Sequence, residues 1–379
     1  MSVYWNSRVK NIAPYIPGEQ PKDRKIIKIN TNENPYPPSP RVIEAIKNAA
    51  GERLRLYPDP ECELFREAAA ARYGVKPRQV FAGNGSDEIL AFAFGAFFES
   101  GEKAAQILFP DITYSFYPVY ASLWDIPYRT IALADDFSII INDYKIPSSG
   151  GGATSGGVIF PNPNAPTSVA LPLDEIMSLA EYLEKQGKVL IVDEAYIAFS
   201  GGCDTKSAVR HINAHPNLLT VHTLSKSASL AGLRFGFAIG NEELIDGLRR
   251  VRDSFNSYTL DFLALTGAAA AISDSAYYDE INRRVMSTRE RTAQALRDLG
   301  FTVLPSSANF LFVKPPNISG EELFAALRRR GILVRHFKKE RISDFLRVSI
   351  GTDEDMDVFL DACREIVNAN NSAPLQPAY

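Results

Sequence analysis

The stretch Lys188-Val189-Leu190-Ile191-Val192-Asp193-Glu194-Ala195-Tyr196 decides the fold. Val189 to Val192 leave no polar face, so this strand has to be covered on both sides, as in a parallel sheet flanked by helices. It ends in acids, and an acid at the edge of a buried strand must find a cation or several hydrogen-bond donors. Similar short apolar runs lie on either side of it: Val80-Phe81-Ala82, Ile107-Leu108-Phe109-Pro110, Val158-Ile159-Phe160, Leu218 to Thr223 and Phe235 to Ile239. Repeated strands separated by helices predict an α/β fold with a mostly parallel central sheet and helices on both faces. Function is then expected in the crevice beyond the strand ends.

The segments leaving these strands carry the polar and aromatic residues. Gly83-Asn84-Gly85-Ser86-Asp87-Glu88 joins a strand to the apolar helix Ile89 to Phe98, an arrangement that aims backbone amides at a phosphate, with Ser86 or Asp87 as helix cap. It carries neither a dinucleotide fingerprint nor the Gly-Lys-Ser/Thr of a triphosphate loop. Thr113-Tyr114-Ser115-Phe116-Tyr117 offers aromatic rings for a planar ligand, and Pro161-Asn162-Pro163-Asn164-Ala165-Pro166-Thr167 comes directly after another strand. The strand ending at Thr223 leads into Leu224-Ser225-Lys226-Ser227-Ala228-Ser229-Leu230-Ala231-Gly232-Leu233-Arg234. Lys226 is the one Lys, Arg, Asp or Glu between Ala214 and Arg234. Apolar surroundings disfavour its ammonium form and leave the amine free to form an imine with an aldehyde.

The 379 residues divide into an N-terminal arm (1–40), a large domain (41–255), a smaller α+β domain (256–369) and a disordered tail (370–379). The prolines between Pro14 and Pro40 keep the arm extended and suit it to lying across a partner subunit. Ser39-Pro40 caps a helix; Leu56-Tyr57-Pro58-Asp59-Pro60 is a turn; the helix Glu63 to Tyr73 ends at Gly74. In the second domain Ser319 and Glu322 form a capping box. The glycines at 150–152 and 156–157 read as a flexible surface loop. A net charge of −4 with no dominant basic patch argues against nucleic acid as a partner. No long apolar run suggests a membrane segment, and the dispersed Cys62, Cys203 and Cys363 fit a reducing cytoplasm. His211 and His215 have helical spacing, but no acid completes a metal-ligand set.

An imine-forming lysine, a carboxylate at a buried strand end, a phosphate-type turn, a nearby arginine and stacking aromatics are together what pyridoxal phosphate requires. The chain closely resembles the fold-type I pyridoxal-phosphate aminotransferases, and within them the histidinol-phosphate aminotransferases. The resemblance runs through Asn32-Glu33-Asn34-Pro35, Tyr57-Pro58-Asp59, Gly83 to Glu88, Asp193-Glu194-Ala195-Tyr196, Thr223-Leu224-Ser225-Lys226, Arg335 and Leu346-Arg347-Val348-Ser349. It implies that Lys226 is the Schiff-base lysine and general acid/base, that Gly85, Ser86, Ser225 and Arg234 hold the phosphate, and that Asp87 and Thr223 also bind the cofactor. Asp193 would face the ring nitrogen, Tyr196 the ring hydroxyl and Tyr114 the ring face, while Tyr57 would reach the cofactor of a neighbouring subunit. Tyr15, Asn32, Arg335 and Arg347 would meet the substrate. The implied partners are a small amino donor and a 2-oxo acid, in a homodimer with shared active sites. An aromatic amino-acid aminotransferase or a decarboxylase on the same fold is the alternative.

The chain departs from the family pattern in two places. Ala165 stands where the family has an asparagine before Pro-Thr, so the ring-hydroxyl contact is displaced to Asn164 or replaced; Asn164 is the expectation. The expected Phe-Pro-Thr-Tyr is expanded to Phe109-Pro110-Asp111-Ile112-Thr113-Tyr114, which makes Tyr117 the fallback for stacking.

Overall fold

The computed structural model describes all residues except 1–2, 17, 21–25, 147–154, 202 and 373–379. A short helix, Ser7–Asn11, precedes the two-residue strand β1 (Ile27–Lys28). The large sheet is built from β2 (Val80–Gly83), β3 (Ile107–Pro110), β4 (Tyr128–Ile131), β5 (Gly157–Pro161), β6 (Leu190–Asp193), β7 (Leu218–Thr223) and β8 (Gly236–Gly240). Its spatial order is β2-β8-β7-β6-β5-β3-β4, and β8 runs against both of its neighbours while the other pairings are parallel. Alternation along each strand splits the apolar residues between two dry faces. Leu108, Val158, Phe160, Leu190, Val192 and Leu218 enter one core, and Phe109, Ile159, Ile191, Leu219 and Val221 the other. The chain steps outward from β3 to β4 and the opposite way from β5 through β7. The reversal therefore lies between β3 and β5, and a crevice opens at their carboxyl ends.

The smaller domain holds β9 (Thr302–Val303), β10 (Phe310–Lys314), β11 (Ile332–Leu333), β12 (Arg335–His336) and β13 (Leu346–Ser349). An antiparallel sheet in the order β12-β13-β10-β9 packs Phe310, Leu311, Val313, Leu346 and Val348 against Val285, Leu323, Met356 and Phe359 of three helices. β11 pairs in parallel with β1, so the latter part of the arm is stitched into this domain.

Several local expectations hold. Ser39 accepts from Arg41 N–H at the start of helix Pro40–Ala49, Gly74 closes Glu63–Tyr73 with φ +67°, and the Ser319/Glu322 capping box is formed. Others need correction. Gly157 is not in a loop: it opens β5, where a Cβ would meet the Phe98 ring at 2.7 Å and the Val189 carbonyl at 3.1 Å. The glycines at 150–152 lie outside the described residues. Neither Ser86 nor Asp87 caps the phosphate-type turn, because the helix already begins at Gly85, with Asn84 at the cap position. β4 escaped notice because an exposed edge strand, Tyr-Arg-Thr-Ile, lacks an apolar run. Helix Phe262–Ser273 gives Ala264, Leu265 and Ala268 to the large-sheet core, so its packing partners belong to the large domain. The C-terminal helix runs to Ser372, past the point where a disordered tail was expected; residues 373–379 lie outside the described residues. Among the described residues no helix is long and apolar enough to cross a membrane.

Candidate active site

The carboxyl ends of β6 and β7 bring Asp193 and Thr223 to the floor of a cavity of about 290 Å³. Ser86, Asp87, Tyr114, Ala165, Tyr196, Ser225, Lys226 and Arg234 complete most of its wall, joined by Thr31 and Glu33. Lys226 Nζ donates to the Thr31 carbonyl at 3.0 Å. Burial, reinforced by the Arg347 charge and opposed by Glu33 and Asp87, pushes its pKa down to about 8. Asp193 is 4% exposed. Burial pushes its pKa up to about 7, against donation from Ala195 N–H at 3.2 Å and from Tyr117 Oη at 3.2 Å. A carboxylate held this way, with no cation beside it, is suited to a positively charged ring nitrogen.

The turn into the helix at Gly85 is formed by close backbone approach. Gly85 has φ +78°, and a Cβ there would come within 2.6 Å of Arg234 Nη2. Asp87 orients two neighbours, accepting from Tyr114 Oη at 2.6 Å and from Arg234 Nη2 at 3.4 Å. Thr223 Oγ1 accepts from Ser225 N–H at 3.1 Å and shapes the turn that presents Ser225 and Lys226.

A second cavity, of about 460 Å³, shares Tyr114 and Ala165 with the first and is lined by Tyr15, Arg335, Phe337, Lys339 and Arg347. Among the described residues no carboxylate side chain lines it. Arg347 Nη2 donates to the Asn30 carbonyl at 2.9 Å, and its guanidinium lies over the Phe310 and Phe337 rings at 5.4 and 5.8 Å. Its Nε is buried without a partner among the described residues, and burial lowers its pKa. Tyr15 packs on Phe116 with ring centroids 4.3 Å apart.

Three expected site residues fall elsewhere. Asn164 does not line the cavity: its amide nitrogen donates to the Ile112 carbonyl and to Thr167 Oγ1, both at 3.0 Å, while Ala165 faces the space. Tyr117, the fallback for stacking, is fully buried beneath Asp193 and serves as its donor. Asn32 is buried, donates to the Tyr196 hydroxyl at 2.9 Å and lines neither cavity. Tyr57, expected at a neighbouring subunit's cofactor, is 82% exposed, stacks on Tyr258 and lies outside its own chain's cavity. Conversely, the Thr31 carbonyl, Glu33, Phe337 and Lys339 were not anticipated. Only Glu33 carried a signal, through the Asn32-Glu33-Asn34-Pro35 motif. Among the described residues no three His, Cys, Asp or Glu side chains converge as a metal site.

The family model for aminotransferase class I and II matches residues 24–363. The chain belongs to this family. Among its relatives within the class I and II aminotransferases, the histidinol-phosphate aminotransferase of Clostridium acetobutylicum is 51% identical over 367 residues, covering 97% of this chain and 100% of the relative. Histidinol-phosphate aminotransferase 1 of Methylococcus capsulatus is 51% identical over 373 residues, 98% of this chain and 100% of that one. Among solved structures, the histidinol-phosphate aminotransferase of Sinorhizobium meliloti in complex with pyridoxal-5'-phosphate superposes with a TM-score of 0.85 at 23% identity, covering 97% of this chain and 99% of that one. At that identity it bears on the fold alone, which is the α/β sheet with a smaller domain described above.

Proposed function

We propose that this chain is a pyridoxal-phosphate-dependent aminotransferase that moves the amino group of histidinol phosphate to 2-oxoglutarate, yielding imidazole acetol phosphate and glutamate. The observation that carries this is the pair of contiguous cavities: Lys226 and Asp193 stand in one, and Arg335 and Arg347 in the other, which has no lining carboxylate among the described residues. The choice of substrate rests on the relatives that are about half identical over nearly the whole chain.

Pyridoxal phosphate, when bound, supplies the aldehyde that accepts the amino group and a ring that takes up the electron pair left when the substrate carbon loses its proton. The residues present fit that group. Ser86, Ser225 and Arg234 hold the phosphate, with Gly85 giving Arg234 room and Asp87 orienting it. Asp193 stabilises a protonated ring nitrogen, Tyr114 covers the ring, and Tyr196 faces the ring oxygen. Lys226, whose amine is biased towards its neutral form, would hold the cofactor's aldehyde carbon and would move a proton to and from the substrate carbon. Arg335 and Arg347 offer planar forks that accept a phosphate from one substrate and a carboxylate from the other. Tyr15 and Phe337 supply apolar surface for an imidazole ring.

Two variants test the reading. Lys226→Ala is expected to fold but to retain less than about a hundredth of the turnover, since acid/base catalysis alone contributes roughly a hundredfold or more. Arg347→Ala is expected to raise KM for both histidinol phosphate and glutamate by about ten- to a hundredfold, the value of one charge-assisted contact, with the cofactor retained. Normal handling of both substrates by Arg347→Ala would remove that arginine from the site. A wild-type preference for phenylalanine over histidinol phosphate would overturn the substrate and leave an aromatic aminotransferase.

A further inference from the structure

Asn32 occupies an unusual backbone position. Its φ of +57° is left-handed, a conformation that asparagine tolerates better than most residues, and its side chain is buried. Contacts from the smaller domain hold it on both sides. Its N–H donates to Ser349 Oγ at 2.8 Å, Ser349 Oγ returns its own proton to Asn32 Oδ1 at 2.9 Å, and Asn309 Nδ2 donates to the Asn32 carbonyl at 3.0 Å. With Oδ1 engaged by Ser349, Nδ2 faces Tyr196 and donates to its hydroxyl at 2.9 Å. The Tyr196 ring is wedged edge-on against Phe310, with centroids 5.0 Å apart and planes at 85°.

This direction of donation fixes where the hydroxyl proton can go. An amide nitrogen has no lone pair to accept it, so the proton is directed away from Asn32, towards the cavity that Tyr196 lines. On the neighbouring loop Ala165 presents only a methyl group, and the Asn164 amide is committed to Ile112 and Thr167.

We propose that Asn32 is a positioning residue, which fixes the Tyr196 hydroxyl as the donor to the ring oxygen of the cofactor, in place of the asparagine absent at position 165. This rests on the cofactor reading above. A donor at the ring oxygen would stabilise negative charge on that oxygen. The donor therefore lowers the pH at which the bound cofactor's visible absorbance titrates, and losing it raises that pH.

The test is an absorbance titration of the cofactor-loaded enzyme as wild type, Tyr196→Phe, Asn32→Asp and Asn32→Gly. Asn32→Asp nearly preserves shape and turns the donor into an acceptor that draws the Tyr196 proton backwards; Asn32→Gly keeps the left-handed backbone and removes the donor, so either variant suffices if the other fails to fold. The expected result is an upward shift of about one pH unit or more in Tyr196→Phe, the size of one charge-assisted hydrogen bond, and a comparable shift in Asn32→Asp. The double variant Asn32→Asp/Tyr196→Phe should show no further shift, because both changes remove the same donor. An Asn32→Asp or Asn32→Gly titration that coincides with wild type while Tyr196→Phe shifts would overturn the positioning role and leave the cofactor reading intact. No titrating visible band in wild type would overturn both.

Discussion

Asp193 carries an electrostatic cost that a cation can remove. Its folded-state pKa is raised from 3.8 to about 7, chiefly by burial. A raised folded pKa contributes stability that is fully present below the unfolded value and lost as pH rises through the folded one. The cofactor-free protein should therefore be strained by this side chain above pH 7. Asp193→Asn is expected to stabilise the cofactor-free form at pH 8, by on the order of 2–4 kcal/mol, with the gain shrinking as pH falls and gone below about pH 4. Denaturant unfolding across that range checks it. The same variant should slow turnover, since the neutral amide no longer keeps a ring nitrogen protonated; an unchanged rate would make the acid purely structural. Glu194, the next residue, is also pushed up to about 7 by burial, but Ser207 Oγ at 2.5 Å and Ala208 N–H at 2.7 Å satisfy it within the protein. Adjacent acids in one motif thus have opposite orientations, and only Asp193 lines the cavity.

At the scale of elements, the phosphate end depends on how closely β8 approaches the helix that starts at Gly85. A Cβ on Gly236 would lie 2.4 Å from Ser86 N and 2.6 Å from Gly85 C, both backbone atoms that cannot swing aside. Gly236→Ala should push the helix start away from β8, destabilising the fold by about 1–3 kcal/mol, as overpacking does. Because the displaced amides belong to the turn proposed to hold the cofactor phosphate, the variant should also hold the cofactor more weakly. A thermal melt and a cofactor titration measure the two effects. A normal melt together with normal retention would mean the contact has slack. Glycine at 236 was visible in the sequence, yet its reason was not, since its neighbour in space lies about 150 residues away along the chain.

For the whole molecule, the homodimer expected from the sequence can be tested at Tyr57. Tyr57, Leu54, Leu56 and Leu64 are exposed together, as are Tyr4 and Trp5 of the arm. A C2 dimer would bury such apolar residues and let the Tyr57 hydroxyl of one subunit meet the phosphate held by Ser225 and Arg234 of the other. Sedimentation should find a dimer. Tyr57→Phe should weaken cofactor retention by about 1.5–3 kcal/mol, the value of a charge-assisted hydrogen bond, without changing the subunit's own cavity. A monomer that retains its cofactor fully would refute the shared site.

Features that depend on neighbours along the chain were legible in the sequence. Apolar runs without a polar face could become only doubly covered strands, and Ser39, Gly74 and the Ser319/Glu322 box marked helix ends because capping is a contact over a few residues. The same local pattern placed Lys226, Asp193 and Arg234 at strand ends, where the sheet carries them into one cavity. Which polar groups face that cavity was settled only by the folded chain. Asn164 and Ala165 exchange their expected roles because the loop turns the amide towards Ile112, a residue of a different strand end. Asn32 meets Tyr196 across 164 positions, and Ser349 clamps it across 317. Local pattern is silent on such partners, because a hydrogen bond is made by geometry over a few ångströms, and the sequence carries no record of which distant segments share that space.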